Sequence, residues 1–235
     1  IIAENRAGRG GGARVMDQSV VFNTVFHGNT ARDGAGIAAS GSRVRNALFY
    51  LNRADNSGGG AHCGPGGAMD NCTLVFNEAR RGGGAWCEDG ALVRNSILYF
   101  NARGNLARRG ADVRVTHSCV TPHVPGTGNI TLPPRFDNPS ADDFRLAPDS
   151  PCIDAAATLT WMARATDMDG TPRALGRAPD MGAFEFASAA LLGAVTGSYD
   201  VCTLTNSAGG VPEPLCLPVT LLLAALQYKK RASAR

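Results

Sequence analysis

Residues 58–77 read GGGAHCGPGGAMDNCTLVFN, one copy of a pattern that recurs along the first half of the chain. Glycine-rich runs recur every 24 residues, at 10–12, 34–36, 58–60 and 82–84. Asparagines recur in two columns at steps of 23 to 25 residues, the first being Asn5, Asn29, Asn52, Asn77 and Asn101 and the second Asn23, Asn46, Asn71 and Asn95. Three features that keep the same spacing identify an internal repeat of about 24 residues.

Each repeat has a short apolar run between its paired asparagines, such as residues 48–51 and 97–100. These runs have the length of strands and not of helices, and the three adjacent glycines count against an α-solenoid. Shorter segments follow the glycines and precede the second asparagine column, which gives about three strands per repeat. The sequence therefore predicts an all-β fold, a right-handed single-stranded parallel β-helix with an irregular C-terminal cap.

The repeated residues have distinct physical roles in such a coil. Asparagine tolerates the left-handed backbone region, and its amide can bond the asparagine of the next coil, so both columns predict ladders. Glycine suits bends that need positive φ or a close approach of coils. Apolar residues of the short strands fill the inside of the coil.

Composition excludes some classes of partner and site. The net charge is only +3, and the arginines are spread over the repeats, so we expect no nucleic-acid partner. The seven cysteines lack the spacing of a metal-thiolate site. Cys63 and Cys87 are one repeat apart and should lie one above the other, either as buried thiols or as a disulfide.

Two elements of the repeat resemble a known family. Phe26-His27-Gly28-Asn29 and Phe49-Tyr50-Leu51-Asn52 match an FxxN element, and the glycine runs match a GGAI-like element. Together they resemble the repeats of chlamydial polymorphic membrane proteins. That resemblance implies a surface-exposed, adhesin-like protein.

A second resemblance covers about 50 residues beyond the repeats. Its motifs are residues 134–139, 143–146, 149–154, 167–173 and 180–185. They resemble the C-terminal segment of exported bacterial β-helix proteins of the choice-of-anchor type. The resemblance implies that this segment closes the β-helix and carries no assigned chemistry.

The end of the chain resembles a PEP-CTERM sorting tail. Val211-Pro212-Glu213-Pro214 precedes an apolar run, 215–226, and the basic residues Lys229-Lys230-Arg231. The resemblance implies export and a membrane anchor in the cell envelope, although the run is shorter than a full span and an amphipathic terminus is the alternative. No leader precedes Ile1, so we expect a signal peptide, and further coils, upstream.

These features divide the chain into four parts: coils in 1–120, a cap segment in 121–186, a linker in 187–210 and a sorting tail in 211–235.

Two charged columns and one aromatic pair are candidate surface sites. The columns are Arg9, Asp33, Ser57 and Arg81, and Arg45, Asp70 and Arg94. Because both mix charges, we expect inter-coil ion pairs on a solvated face and no catalytic cluster. His62 and Trp86 lie one coil apart and form a candidate sugar-binding platform, with ordinary coil surface as the alternative.

Asp167 and Asp169 resemble the start of a calcium loop, in which alternating carboxylates meet at one cation. Asp180 falls two residues beyond the position of the last ligand, so an Asx turn is the alternative. We expect no cofactor, and Ca²⁺ is the one metal that the sequence suggests.

The sequence as a whole predicts a cell-surface or secreted β-helix scaffold that is adhesin-like or binds glycans. Its partners would be extracellular polysaccharides or cell-surface glycans, and no catalytic residue stands out. The alternative is a polysaccharide lyase or glycoside hydrolase of the pectate-lyase-like β-helix class, an analogy from fold alone.

Overall fold

In a computed structural model of the chain, the repeats stack as coils of a parallel β-helix. The structure describes residues 1–173 and 175–187, and the backbone of Asp200–Thr203 and Leu215–Pro218. Residues 1–186 form one unit, and the remaining residues form another. The fold class predicted from the sequence is confirmed.

Four parallel sheets, A to D, run along the stacked coils. Sheet A contains β1 (Ile2–Ala3), β5 (Val25–His27), β9 (Leu48–Tyr50), β13 (Thr73–Val75), β17 (Ile97–Tyr99) and β20 (Cys119–Val120). Sheet B contains β2 (Arg6–Arg9), β6 (Thr30–Asp33), β10 (Arg53–Ser57) and β14 (Glu78–Arg81). Sheet C contains β3 (Ala13–Val15), β7 (Ile37–Ala39), β11 (Ala61–Cys63), β15 (Ala85–Glu88) and β18 (Leu106–Arg109). Sheet D contains β4 (Val20–Phe22), β8 (Arg43–Arg45), β12 (Ala68–Asp70), β16 (Leu92–Arg94) and β19 (Arg114–Thr116).

A full coil therefore has four strands, and the prediction of about three was one too few. The strand that sequence reasoning missed belongs to sheet B. Its inward column consists only of alanines, Ala31, Ala54 and Ala79, and its outward residues are charged or polar. Without a large apolar residue, this strand carries none of the usual sequence signal.

Apolar side chains stack in columns inside the coils. Phe26 and Phe49 are register partners whose rings lie parallel with centroids 4.7 Å apart. Leu74 and Leu98 continue the column. Cys63 and Cys87 form a similar column in sheet C, and both are buried free thiols.

The glycine turns join sheets B and C. Gly58 has φ +66°, which residues with a Cβ rarely adopt. A Cβ on Gly60 would lie 2.7 Å from the carbonyl oxygen of Gly84 in the next coil. The runs thus serve both positive φ and close coil contact.

The first asparagine column forms a hydrogen-bonded ladder through the coil interior. The backbone N–H and side-chain Nδ2 of Asn29 both donate to Oδ1 of Asn52, each at 3.0 Å. Asn52 donates in the same way to Asn77, at 3.0 and 2.9 Å. The ladder runs from Asn5 to Asn101 and ends at Asn105, whose amide donates to the carbonyl of Thr121 at 2.7 Å.

The second asparagine column has a different role. Its members adopt positive φ between 47° and 53° at the turn from sheet D to sheet A. Their side chains reach outward to the C-terminal segment: Nδ2 of Asn46 donates to Thr166 at 2.7 Å, and Nδ2 of Asn95 to Ala157 at 2.8 Å. The ladder predicted for this column is reduced to one bond, from Nδ2 of Asn95 to Oδ1 of Asn71 at 3.2 Å. The left-handed turns thus belong to the second column, and the continuous ladder belongs to the first.

The C-terminal segment, residues 134–186, contains an antiparallel pair, β21 (Phe136–Asn138) and β22 (Asp143–Leu146), and two 3₁₀ turns, Pro139–Ala141 and Thr160–Arg164. It lies along the outer side of sheet A, where Phe144 and Met181 pack with Leu48, Val75 and Ile97. Its contacts extend from Asn23 to Asn95, so it covers the flank of several coils. Burial on both faces explains why the runs of sheet A are continuously apolar.

A buried ion pair lies within this segment, and its arginine also donates a hydrogen bond to a coil. Nη1 of Arg173 donates to Glu185 at 2.7 Å, Nε donates to Asn46 at 2.9 Å, and both charged side chains are almost fully buried. Burial raises the pKa of both Glu185 and Asp180, and the Arg173 guanidinium opposes the rise at each carboxyl. The single guanidinium of Arg173 offsets only part of the free-energy cost of burying several carboxylates in their charged form.

Beyond residue 187, the structure describes only an antiparallel backbone pair, β23 (Asp200–Thr203) with β24 (Leu215–Pro218). The sorting motif Val211-Pro212-Glu213-Pro214 and most of the linker lie outside the described residues. Among the residues that are described, no helix is long and apolar enough to cross a membrane.

We expect Asn52→Leu to lower the free energy of unfolding by about 3 kcal/mol or more, because it leaves buried polar groups on Asn29 and Asn77 without partners. Urea unfolding followed by circular dichroism measures the loss. The control, Asn138→Ala at an exposed site, should change stability by no more than about 0.5 kcal/mol. Equal stability of the two variants would contradict a structural role for the ladder.

Candidate functional site

A groove lies where sheet B turns into sheet C. It has a volume of about 270 Å³, and its lining residues are Arg9, Asp33, Asn56, Ser57, His62, Arg81, Trp86, Glu88 and Arg109. We call it the corner groove.

Both sheets supply the groove from fixed positions of the repeat. The last residues of the sheet B strands are the column Arg9, Asp33, Ser57 and Arg81. The glycines that follow have no side chains, and a Cβ on Gly34 would come within 2.9 Å of the Cβ of His62. Sheet C supplies His62 to the floor and Trp86 to the opposite wall, and these two residues are register partners. The glycine turn therefore leaves the space that the groove occupies.

A directional chain of hydrogen bonds crosses the groove floor. Arg9 Nη2 lies 3.0 Å from His62 Nε2, and arginine can only donate, so Nε2 is the acceptor. The neutral ring then carries its proton on Nδ1, 3.4 Å from Ser57 Oγ. Ser57 Oγ donates to Asp33 Oδ1 at 2.5 Å, and Asn56 donates to the same oxygen at 2.7 Å.

This chain keeps His62 neutral and Asp33 charged. Burial lowers the pKa of His62, and the Arg9 cation lowers it further, against the opposing effect of Glu88 and Asp33. Burial opposes ionisation of Asp33, but the hydrogen bonds from Ser57 and Asn56 outweigh it and lower the pKa of this carboxyl. His62 is thus an uncharged floor of the groove near neutral pH.

Trp86 forms the more accessible part of the site. Its ring is half-buried, and the Arg81 guanidinium lies over it, 4.8 Å from the ring centroid. Glu88 lies 3.7 Å from His62 Nε2 and 3.8 Å from Nη1 of Arg109. A ligand that contacts the indole therefore also meets arginine side chains.

The groove carries an excess of positive charge. Its three arginines face two carboxylates, and Arg9, Arg81 and Arg109 are all exposed. The guanidinium group binds carboxylates through two parallel hydrogen bonds. An aromatic face beside exposed arginines is suited to a sugar ring that bears an acidic group.

The two charged columns identified in the sequence lie in different environments. The first lines the corner groove, where Arg9 bonds His62 and Asp33 bonds Ser57 instead of each other. In the second column, Nε and Nη2 of Arg94 donate to the two carboxylate oxygens of Asp70 at 2.7 and 3.0 Å. Nε of Arg45 lies 3.6 Å from Oδ2 of the same carboxylate.

The expectation of a solvated face was wrong for this second column. Asp70 is fully buried between the arginines of the coils on either side, and Trp161 of the C-terminal segment stacks on Arg45 with a 5.0 Å separation. An ion pair this well covered is costly to break.

The candidate calcium residues lie away from the groove, in the C-terminal segment. Oδ1 of Asp167 accepts the backbone N–H groups of Asp169 and Thr171, each at 2.8 Å, which is an Asx-type turn. Both carboxylate oxygens of Asp169 accept from Arg145, at 2.6 and 2.8 Å. Within the described part of the chain, no three acidic, histidine or cysteine side chains are grouped as metal ligands.

Sequence reasoning missed Asn56, Glu88 and Arg109 as groove residues. Glu88 pairs in register with Arg109, a step of 21 residues. The last coil is shorter than the others, so a constant step of 24 does not bring these two together. The alternation along β15, in which Trp86 and Glu88 both point outward, is the signal that could have identified Glu88.

Comparisons with protein-family models and with curated proteins gave no match.

We expect Arg9→Ala to raise the pKa of His62, because the substitution removes a cation 3.0 Å from Nε2. An NMR titration of the imidazole resonances measures the change. Arg43→Ala, an exposed arginine on sheet D, is the control and should leave the titration as in the wild type. A His62 pKa that stays the same or falls in Arg9→Ala would contradict the hydrogen-bond chain.

Proposed function

We propose that this chain is a cell-surface or secreted β-helix scaffold that binds acidic glycans in the corner groove. The observation that carries the proposal is the position of Trp86 among Arg9, Arg81 and Arg109 in one groove. The part of the half-buried indole that Arg81 does not cover offers a contact surface to a sugar ring. Arg9 donates to His62 and Arg81 to Asn56, each through Nη2, and the other N–H groups of these exposed guanidiniums can donate to the sugar carboxylate.

The groove geometry favours binding over turnover. A lyase or glycosidase needs a base or a paired acid and base that face the substrate. The Nε2 lone pair of His62 accepts from Arg9, and the Asp33 carboxylate accepts from Ser57 and Asn56. These groups are engaged with one another, which suits a rigid recognition surface.

We expect Trp86→Ala to weaken binding of a uronate trisaccharide at least about tenfold, because the indole is the aromatic contact surface of the groove. Isothermal titration calorimetry measures the affinity. A matched pair of variants on β18 tests the charge: Arg109→Gln should weaken binding, whereas Arg108→Gln, outside the groove lining, should not.

Absence of acidic-sugar binding by the wild type, or equal affinity of Trp86→Ala, would refute the proposal. Release of unsaturated sugars from a polyuronate that stops in His62→Ala would replace it with the lyase alternative.

The proposed location is the cell envelope, through the tail at 211–235. Support comes from the order of a Pro-Glu-Pro box, an apolar run and a basic end. In cells that export the chain, we expect a variant without residues 211–235 to move from the membrane fraction to the medium, because the tail supplies the anchor. Immunoblots of both fractions measure this, and an unchanged distribution would contradict the anchor.

A further inference from the structure

A second groove lies on the outer face of sheet B, with a volume of about 520 Å³. Its charged lining residues are Arg6, Arg32, Arg53 and Asp55, and the others are glycine, alanine and threonine. We call the surface formed by Arg6, Arg32 and Arg53 the arginine face.

The arginines of this face are available to a ligand. All three are exposed. Arg32 lies 3.9 Å from Asp33, but its side chain is 77% exposed and that carboxylate already accepts from Ser57 and Asn56. Among the described residues, Arg6 and Arg53 take part in no ion pair. An excess of cations without partners on a polar surface suits a polyanion.

The same three strands supply both grooves. β2 contributes Arg6 to the arginine face and Arg9 to the corner groove, and β10 contributes Arg53 to the first and Ser57 to the second. Three or four residues separate the two sites along β2 and β10, which is roughly 10 to 13 Å, whereas on β6 Arg32 and Asp33 are neighbours. One extended chain with several acidic groups can therefore contact both.

We infer that the ligand is a linear polysaccharide with repeated sugar carboxylates, which runs from the corner groove onto the arginine face. This inference rests on the proposed function, because the corner groove supplies the aromatic contact. Fork-like pairing with guanidinium suits planar carboxylates. The arginine face has no aromatic lining residue, so it lacks the stacking surface that single-stranded nucleic acids use.

The test compares a uronate trisaccharide with a dodecasaccharide of the same sugar, on the full chain. We expect the wild type to bind the longer chain at least about tenfold more tightly, with a stronger salt dependence. The variant Arg6→Gln/Arg32→Gln/Arg53→Gln should lose that advantage and keep the affinity for the trisaccharide. Trp86→Ala should weaken both.

A control of equal charge change, Arg43→Gln/Arg164→Gln/Arg177→Gln, replaces exposed arginines elsewhere and should behave as the wild type. If the arginine-face variant retains tight binding of the dodecasaccharide, the inference fails while the proposed function stands. If neither sugar binds the wild type, both fail. Equally tight binding of a DNA duplex or of a sulfated chain to the arginine face would overturn the choice of polyuronate.

Discussion

Two hydrogen bonds from one asparagine to the side-chain oxygen of the next hold neighbouring coils in a single register. Asn29, Asn52 and Asn77 make these bonds inside the coil, where water cannot replace them. A slip of one residue in a strand would turn its inward side chains outward. The ladder therefore allows residues about 24 apart to form straight columns, and the core and both grooves are built from such columns.

The corner groove is formed because the stacked columns bring residues from different coils together. Residues from Arg9 to Arg109, far apart in sequence, meet in one site because each occupies an equivalent position in its own coil. The glycine turn leaves the space, and the sheet C strands supply the aromatic wall. Since the floor residues bond one another from Arg9 to Asp33, the site is held ready before a ligand arrives, which reduces the ordering cost of binding.

The repeat predicted the fold, the ladder of the first asparagine column and the pairing of His62 with Trp86, because each depends only on spacing. Three features of the structure could not be predicted from the repeat spacing. The strand of sheet B has only alanine inside, so Arg53–Ser57 carries no apolar signal. The short last coil moves Arg109 out of the 24-residue step. The position of the C-terminal segment depends on long-range contacts, such as Arg173 with Asn46 and Trp161 with Arg45 beside the Asp70 ion pair, and no local sequence pattern predicts them.

The measurement that tests the central claim most directly is a crystal structure of the chain with a uronate trisaccharide. We expect a sugar ring against the Trp86 indole and its carboxylate within hydrogen-bond distance of Arg9, Arg81 or Arg109. A sugar bound elsewhere on the coils, with the corner groove unchanged and empty, would contradict the assignment of this groove as the glycan site.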